Sequence, residues 1–253
     1  MAENNWLEGR HALVTGGGTG IGASAAAHLH AAGAKVTLLG RRMEPLQQTA
    51  ERIGGYAVSC DVTQPGQIAK AFDEARTLNG PIELLVVNAG IAESAPFHKM
   101  TRESWDRIIA VNLRGTIGVT RAVLDGMIDR SRGRIIHIAS DAGRVGSSQE
   151  AVYSACKGGI IAFTKTVARE VARKGITLNT VCPGPTDTPL LAAVAGADER
   201  GQKIRAALVS AIPMKRVGQP DDIPGAVCFL ASDDAAFITG QTISVSGGLT
   251  MHG

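Results

Sequence analysis

Residues 10–22 read Arg-His-Ala-Leu-Val-Thr-Gly-Gly-Gly-Thr-Gly-Ile-Gly, and an Ala-rich run follows from Ala23 to Ala32. The first six residues are short, apolar and β-prone. The alanines have helical character, and Gly33 ends them as a C-cap would. A strand, a glycine turn and a helix in immediate succession open a β–α–β unit. Glycine lets the chain turn sharply and lets a ligand come close to the backbone. The helix that follows begins with unpaired N–H groups and a positive dipole end, which suit a diphosphate. The spacing here, Gly16-x-x-x-Gly20-x-Gly22, differs from the commoner GxGxxG of dinucleotide sites.

The same alternation continues outward. Lys35–Leu39, Tyr56–Cys60, Ile82–Val87, Arg134–Ala139, Ile176–Cys182 and Gln241–Val245 read as strands. Met43–Ile53, Pro65–Leu78, Tyr153–Arg173 and Asp221–Leu230 read as helices. The strands are apolar runs rather than alternating ones, the mark of strands buried on both sides. The pattern predicts an α/β fold: a doubly wound parallel sheet with helices on both faces. No repeat, low-complexity tract or linker interrupts the chain, so residues 1–253 read as one domain. Residues 183–220 hold five prolines and read as the least regular stretch, with a substrate lid over about 189–215.

Composition narrows the function classes. With 253 residues, 44% hydrophobic and 19% charged, the chain can bury a large core and is not disordered. The net charge of +3 is scattered, without the concentrated basic stripe of a nucleic-acid binder. Cys60, Cys156, Cys182 and Cys228 match no zinc or CxxC spacing, so reduced thiols and no metal are expected. The polar N-terminus lacks a signal-peptide core, and no apolar stretch reaches the ~20 residues that span a bilayer. A cytoplasmic protein without membrane contact is expected.

Several residues carry chemistry. Tyr153 and Lys157 lie four apart on a predicted helix, hence on one face. A tyrosine hydroxyl with a pKa near ~10 exchanges protons poorly at neutral pH, and a nearby ammonium lowers that value. Ser140 ends the fifth strand, and ligands of open α/β sheets gather at the carboxyl ends of strands. Asn88, Ala89 and Gly90 follow the fourth strand in the same way, and Asn112 reads as a buried mid-helix asparagine that needs partners. After the second strand the chain has Gly40, Arg41 and Arg42, where an acid would grip the adenosine ribose of NAD(H). Arginines there suit a 2′-phosphate, which favours NADP(H), with NAD(H) as the alternative.

In order, TGGGTGIG at 15–22, Asp61-Val62, Asn88-Ala89-Gly90, Asn112, Ser140, Tyr153-Ser-Ala-Cys-Lys157, Pro183-Gly184 and Thr188 resemble the short-chain dehydrogenase/reductase family over roughly residues 7–248. The resemblance implies a seven-stranded parallel sheet of Rossmann topology. It implies Tyr153 as general acid/base, Ser140 orienting the carbonyl or alcohol, and Lys157 on the nicotinamide ribose. Asn112 would hold a water in a proton relay to Lys157. Gly16, Thr19, Gly20 and Ile21 would cradle the cofactor, with Asp61 and Val62 framing the adenine and Asn88 to Gly90 the adenosine side. Pro183, Gly184, Thr186 and Thr188 would embrace the nicotinamide. The family also implies a homotetramer. Thr19 departs from the basic residue that many NADP(H) users carry there, which leaves the NADP(H) argument on Arg41 and Arg42.

For substrate, the apolar lid residues Leu190, Leu191, Val194, Leu208, Val209, Ile212 and Met214 suit a carbon skeleton rather than a sugar. Asp141, Arg144, Gln149 and Glu150 add polar groups. The predicted function is interconversion of a ketone or 3-oxoacyl group and a secondary alcohol by hydride transfer. A small carbonyl or alcohol, or a thioester of coenzyme A or acyl-carrier protein, would be the substrate. Similarity to acyl-carrier-protein reductases implies that Arg130, Arg132, Arg173 and Lys174 lie beside the pocket mouth and meet the carrier or the phosphates of coenzyme A. The rival readings are an NAD-linked catabolic dehydrogenase of a hydroxyacyl-CoA or secondary alcohol, and a non-catalytic dinucleotide sensor.

Overall fold

The structure, a computed structural model, describes residues 6–196 and 198–251. Its frame is one seven-stranded sheet in the order β3-β2-β1-β4-β5-β6-β7. The strands are β1 (His11–Thr15), β2 (Lys35–Gly40), β3 (Tyr56–Ser59), β4 (Ile82–Val87), β5 (Gly133–Ile138), β6 (Ile176–Pro183) and β7 (Thr242–Val245). Every neighbouring pair is parallel. Each strand read from the sequence is present, displaced by at most one residue at an end.

Side-chain parity explains the two covered faces, because successive residues of a strand point to opposite sides. Ala12, Val14, Val36, Leu38, Leu84, Val86, Ile136 and Val181 face one way. They pack under α1 (Gly20–Ala31), α2 (Met43–Ile53) and α10 (Pro224–Ala231). Leu13, Leu39, Leu85, Val87, Ile135 and Leu178 face the other way, against α3 (Pro65–Asn79), α5 (Gly115–Asp129) and α7 (Ala151–Val171). Each fully buried leucine here contributes about 1.5–3 kcal/mol relative to an exposed one.

Two stretches differ from the sequence reading. Residues 102–129, read only as a helix around Asn112 without bounds, form α4 (Arg102–Ile109) and α5, joined by a π-helical turn over Ala110–Arg114. The stretch read as irregular holds two helices, α8 (Pro189–Ala195) and α9 (Glu199–Ala211). Both have side-chain caps: Thr188 accepts from the Leu191 N–H, with Pro189 at the first helical position, and Asp198 accepts from the Gly201 N–H. A one-turn helix, α6 (Ala142–Val145), follows β5.

The strand order reverses between β1 and β4: β2 and β3 lie on one side of β1, and β4 to β7 lie on the other. The connections leave in opposite directions there, so a crevice opens at the carboxyl ends of the strands. The segments at the ends of β4, β5 and β6, with Asn88, Ser140 and Pro183, border it. No helix among the described residues is long and apolar enough to cross a membrane.

Two histidines are buried in strands, His11 in β1 and His137 in β5. Burial pushes both below the ordinary value of 6.5, His137 down to about 3 with a further push from the Lys157 ammonium. The unfolded chain takes up protons on these rings as the pH falls through about 6.5, while the folded chain leaves His137 neutral until about 3. Acid therefore favours unfolding across that window. The urea midpoint is expected to fall between pH 7.5 and pH 4.5, and His137→Leu to flatten part of that slope. A slope unchanged by the substitution would remove His137 from this account.

Candidate active site

The crevice holds a cavity of about 630 Å³. Its floor is built where β5 ends and α7 begins. Ser140 follows β5, and its Oγ accepts from the Ala142 N–H at 3.1 Å, which fixes it at the start of α6. Tyr153 stands in the first turn of α7 and lines the cavity together with Ser140. Lys157 lies one turn on, with Nζ 5.5 Å from the Tyr153 ring centroid. Its ammonium donates to the Ile138 carbonyl at 2.8 Å. Ser140, Tyr153 and Lys157 all line the cavity.

Asn112 occupies the π-helical turn and is fully buried. Its Oδ1 accepts from the Ile91 N–H at 3.1 Å, and its Nδ2 donates to the Ile91 and Ile108 carbonyls at 2.9 and 3.0 Å. A Cβ on Gly90 would stand 2.7 Å from Asn112 Oδ1 and 3.7 Å from Lys157 Nζ. Gly90, Asn112 and Lys157 therefore meet at one point, which only glycine leaves open. The Asn112 side chain is spent on pinning the 90–91 backbone and does not itself line the cavity.

Electrostatics in this corner run against the simple expectation of an ammonium lowering the phenol. Burial dominates and favours the neutral form of both groups. It raises Tyr153 above its ordinary value of 10, opposed in part by the Ser140 hydrogen bond. It brings Lys157 down to about 8, with the Cys182 and Cys156 thiols pulling the other way. Tyr153 is thus held as the protonated phenol and Lys157 titrates close to neutrality.

The glycine turn joins β1 to α1. Thr19 stands at the N-cap of α1 in extended conformation without a side-chain capping bond, and the first turn contains no acid. The leading N–H groups of the helix are left for an anion. A Cβ on Gly22 would fall 2.2 Å from the Gly16 carbonyl oxygen, and Gly16 has φ +64°, so the turn closes only with glycine. Ile21 borders the cavity. Asn88 donates through Nδ2 to the Thr15 and Gly16 carbonyls at 3.2 Å each. Thr15 Oγ1 receives the Asn88 and Ala89 N–H groups at 3.0 and 3.1 Å. Asp61 Oδ1 accepts the N–H and hydroxyl of Thr63, and Val62 is buried against Gly115. Arg41 and Arg42 are exposed just past β2, without an ion pair or side-chain hydrogen bond to a described residue. Pro183, Gly184, Thr186 and Thr188 line the cavity from the end of β6. The Thr188 methyl lies 3.2 Å from a Cβ built on Gly20, which brings this segment over the glycine turn. An uncapped helix start and two unpaired guanidinium groups just past the neighbouring strand β2 fit a dinucleotide.

Of the substrate candidates, Asp141, Gln149 and Leu190 line the cavity. The buried Asp141 accepts the Ser244 hydroxyl through Oδ1, and Ser244 also receives Arg144 Nη1 at 2.7 Å. Gln149 adopts φ +67°, and its carbonyl accepts the Ala95 N–H at 2.9 Å, closing one wall. Met214 does not belong to the cavity. Its N–H is tied to the Gly247 carbonyl at 3.1 Å, and its side chain is 69% exposed. Val209 and Ile212 are also absent from the lining, because only one side of α9, with Ile204 and Leu208, faces inward. Ala92, Ser94, Leu249 and Thr250 line the cavity without a sequence signal to single them out.

The expected basic rim is corrected by the topology. Arg130 and Arg132 precede β5, and Arg173 and Lys174 precede β6, at the end of the sheet opposite Ser140. Arg130 donates to the Ile82 carbonyl at 2.9 Å, and Arg132 pairs with Glu83 and Asp233. None of the four lines the cavity.

Comparison with known proteins agrees with this geometry. The family model described as enoyl-(acyl carrier protein) reductase matches residues 16–250. The chain is 42% identical to an acetoacetyl-CoA reductase of Shinella zoogloeoides, over 94% of this chain and 98% of that one. It is 39% identical to a 3-oxoacyl-[acyl-carrier-protein] reductase of Escherichia coli strain K12, over 97% and 99%. Among solved structures, levodione reductase superposes with a TM-score of 0.91 at 28% identity, covering 95% of this chain and 97% of that one. A variant of actinorhodin polyketide ketoreductase with NADPH also gives 0.91, at 32% identity over 96% and 98%. The residues at the switch point and these likenesses together place the chain in the short-chain dehydrogenase/reductase family.

Proposed function

We propose that this oxidoreductase is an NADP(H)-dependent ketoreductase that reduces a 3-oxoacyl thioester, of coenzyme A or acyl-carrier protein, to the secondary alcohol. The observation that carries the reading is the pair of hydroxyls, Ser140 and Tyr153, that line one largely aliphatic cavity beside Lys157. Two hydroxyls directed at one substrate oxygen suit reduction of C=O rather than of C=C. The names of the acetoacetyl-CoA and 3-oxoacyl relatives support the thioester, and the NADPH-bound neighbour supports the cofactor.

A bound nicotinamide supplies the hydride. Ser140 donates a hydrogen bond to the substrate carbonyl oxygen and orients it. Tyr153, held as the phenol by burial, gives its proton to that oxygen as it gains charge. Lys157, as the ammonium, stabilises the phenolate left behind and holds the ribose. Asn112 keeps the 90–91 segment in place beside Lys157. The α8–α9 segment acts as a lid that excludes water with Leu190, Leu191 and Leu208. Gly16, Thr19, Gly20 and Ile21 receive the diphosphate, and Arg41 and Arg42 receive the 2′-phosphate. Asp61, Val62 and Asn88 to Gly90 border the adenosine, while Pro183, Gly184, Thr186 and Thr188 enclose the nicotinamide. A homotetramer belongs to the same reading, supported by the exposed Phe229 on α10 and Phe237 ahead of β7.

Tyr153→Phe is expected to lower kcat by about 10²- to 10⁴-fold while leaving NADPH affinity within a few-fold, as read by steady-state kinetics and calorimetry. Full turnover in this variant would overturn the assignment. Reduction is expected to slow as the pH rises past about 8, where Lys157 loses its proton. A flat profile from pH 7 to 9.5 would speak against the ammonium's role. Arg41→Asp is expected to weaken NADPH binding about 10- to 100-fold and to spare NADH. A wild type that prefers NADH would instead indicate an NAD-linked dehydrogenase.

A further inference from the structure

His137 is fully buried near the end of β5, three residues before Ser140, on the face covered by α5 and α7. Its ring joins the two helices. Nε2 lies 2.9 Å from Thr120 Oγ1 on α5, and Nδ1 lies 2.7 Å from Thr164 Oγ1 on α7. The α5 arm continues toward the site. Thr120 Oγ1 donates to the Thr116 carbonyl at 2.7 Å, and Thr116 Oγ1 donates to the Asn112 carbonyl at 2.7 Å. The α7 arm ends on the helix face that carries the proton donor, since Thr164 lies seven residues beyond Lys157. The residue after His137, Ile138, supplies the carbonyl that holds the Lys157 ammonium.

Counting protons shows that this clamp is specific. Thr120 and Thr164 each contact a carbonyl four residues back and a ring nitrogen, which makes four contacts. Two hydroxyls and a neutral imidazole supply three protons. One hydroxyl must therefore turn from its carbonyl to the bare nitrogen while the other accepts the ring N–H. His11 shows the contrasting case: Nδ1 donates to the Gly80 carbonyl, so Nε2 accepts from Thr37 without conflict. The one carbonyl released, that of Thr116 or Ile160, lies within α5 or α7, so the loss is small.

We propose that His137 is a positioning residue of the reductase site: its imidazole, held between Thr120 and Thr164, sets the spacing of α5, which continues from the turn that holds Asn112, and α7, which carries the Tyr153–Lys157 pair. The proposal rests on the ketoreductase reading above. It ties one strand and two helices, hence every residue assigned to proton transfer, to a single ring that touches neither substrate nor cofactor. Among the ionisable groups of the packed elements, Lys157 alone acts on the ring electrostatically.

His137→Leu removes the clamp but orphans no donor, because both threonine hydroxyls fall back on their helix carbonyls. Misplacement of reacting groups by a fraction of an ångström predicts a fall in kcat of about 10- to 100-fold. KM for the carbonyl substrate and the NADPH dissociation constant are expected to stay within two-fold, and the alkaline limb of the kcat profile to move. His137→Asn reaches only Thr164 and His137→Gln only Thr120, so each is expected to recover part of the loss. Should His137→Leu fail to fold, Thr120→Val and Thr164→Val cut the arms singly and are expected to lower kcat in the same way. Wild-type kcat and an unmoved profile in His137→Leu, or in both threonine variants, would overturn the proposal. Tyr153→Phe measured alongside separates the two readings: if it keeps full turnover, the ketoreductase assignment itself falls.

Discussion

The fastening of β1 to β4 at their carboxyl ends is the constraint on which the rest of the molecule depends. Asn88 donates to the Thr15 hydroxyl and carbonyl, and Ala89 to the same hydroxyl, across the point where the strand order reverses. The same Asn88 amide reaches the Gly16 carbonyl and so holds the glycine turn. One side chain thus couples the topology of the sheet to the shape of the glycine turn. The crevice is not an addition to the fold. It is the gap left when connections depart in opposite directions, and the polar ends of β1 and β4 keep that gap from collapsing.

Burial governs the chemistry as much as charge does. The phenol of Tyr153 and the ammonium of Lys157 sit in the same low-dielectric corner, and each is pushed toward its neutral form. A bound carbonyl would meet a proton donor and, one turn away, a cation poised close to neutrality. The Ile138 carbonyl and the Ser140 hydroxyl offset part of that desolvation, which is why the end of β5 matters more to the site than its two or three side chains suggest.

Much of this was legible in the sequence, because the physics that makes a parallel sheet also writes long apolar runs. All seven strands and the placement of Ser140, Tyr153 and Lys157 follow from that pattern and the motif order. The misses have causes. Gly115, Gly118 and Gly126 dilute the helical signal of α5. The caps at Thr188 and Asp198 are visible in the sequence, but the prolines nearby outweigh them. The placement of Arg130, Arg132, Arg173 and Lys174 beside the mouth came from family likeness and overlooked that they precede strands whose far ends build the cavity. Met214 looked like lid because it is apolar, yet the backbone bond to Gly247 carries it away. His137 gave no signal, since its partners lie on two helices distant in sequence.

The two outermost strands, β3 and β7, are only four residues long. An open parallel sheet presents unpaired amide and carbonyl groups along both borders, and such borders template the addition of foreign strands. Here each border offers too short a ladder to recruit an extended segment, and β3 carries the exposed Tyr56 and Ser59. The chain thereby gains resistance to fibrillar growth while crowded or newly made. Any association between copies must then rely on surfaces made of side chains rather than on extension of the sheet.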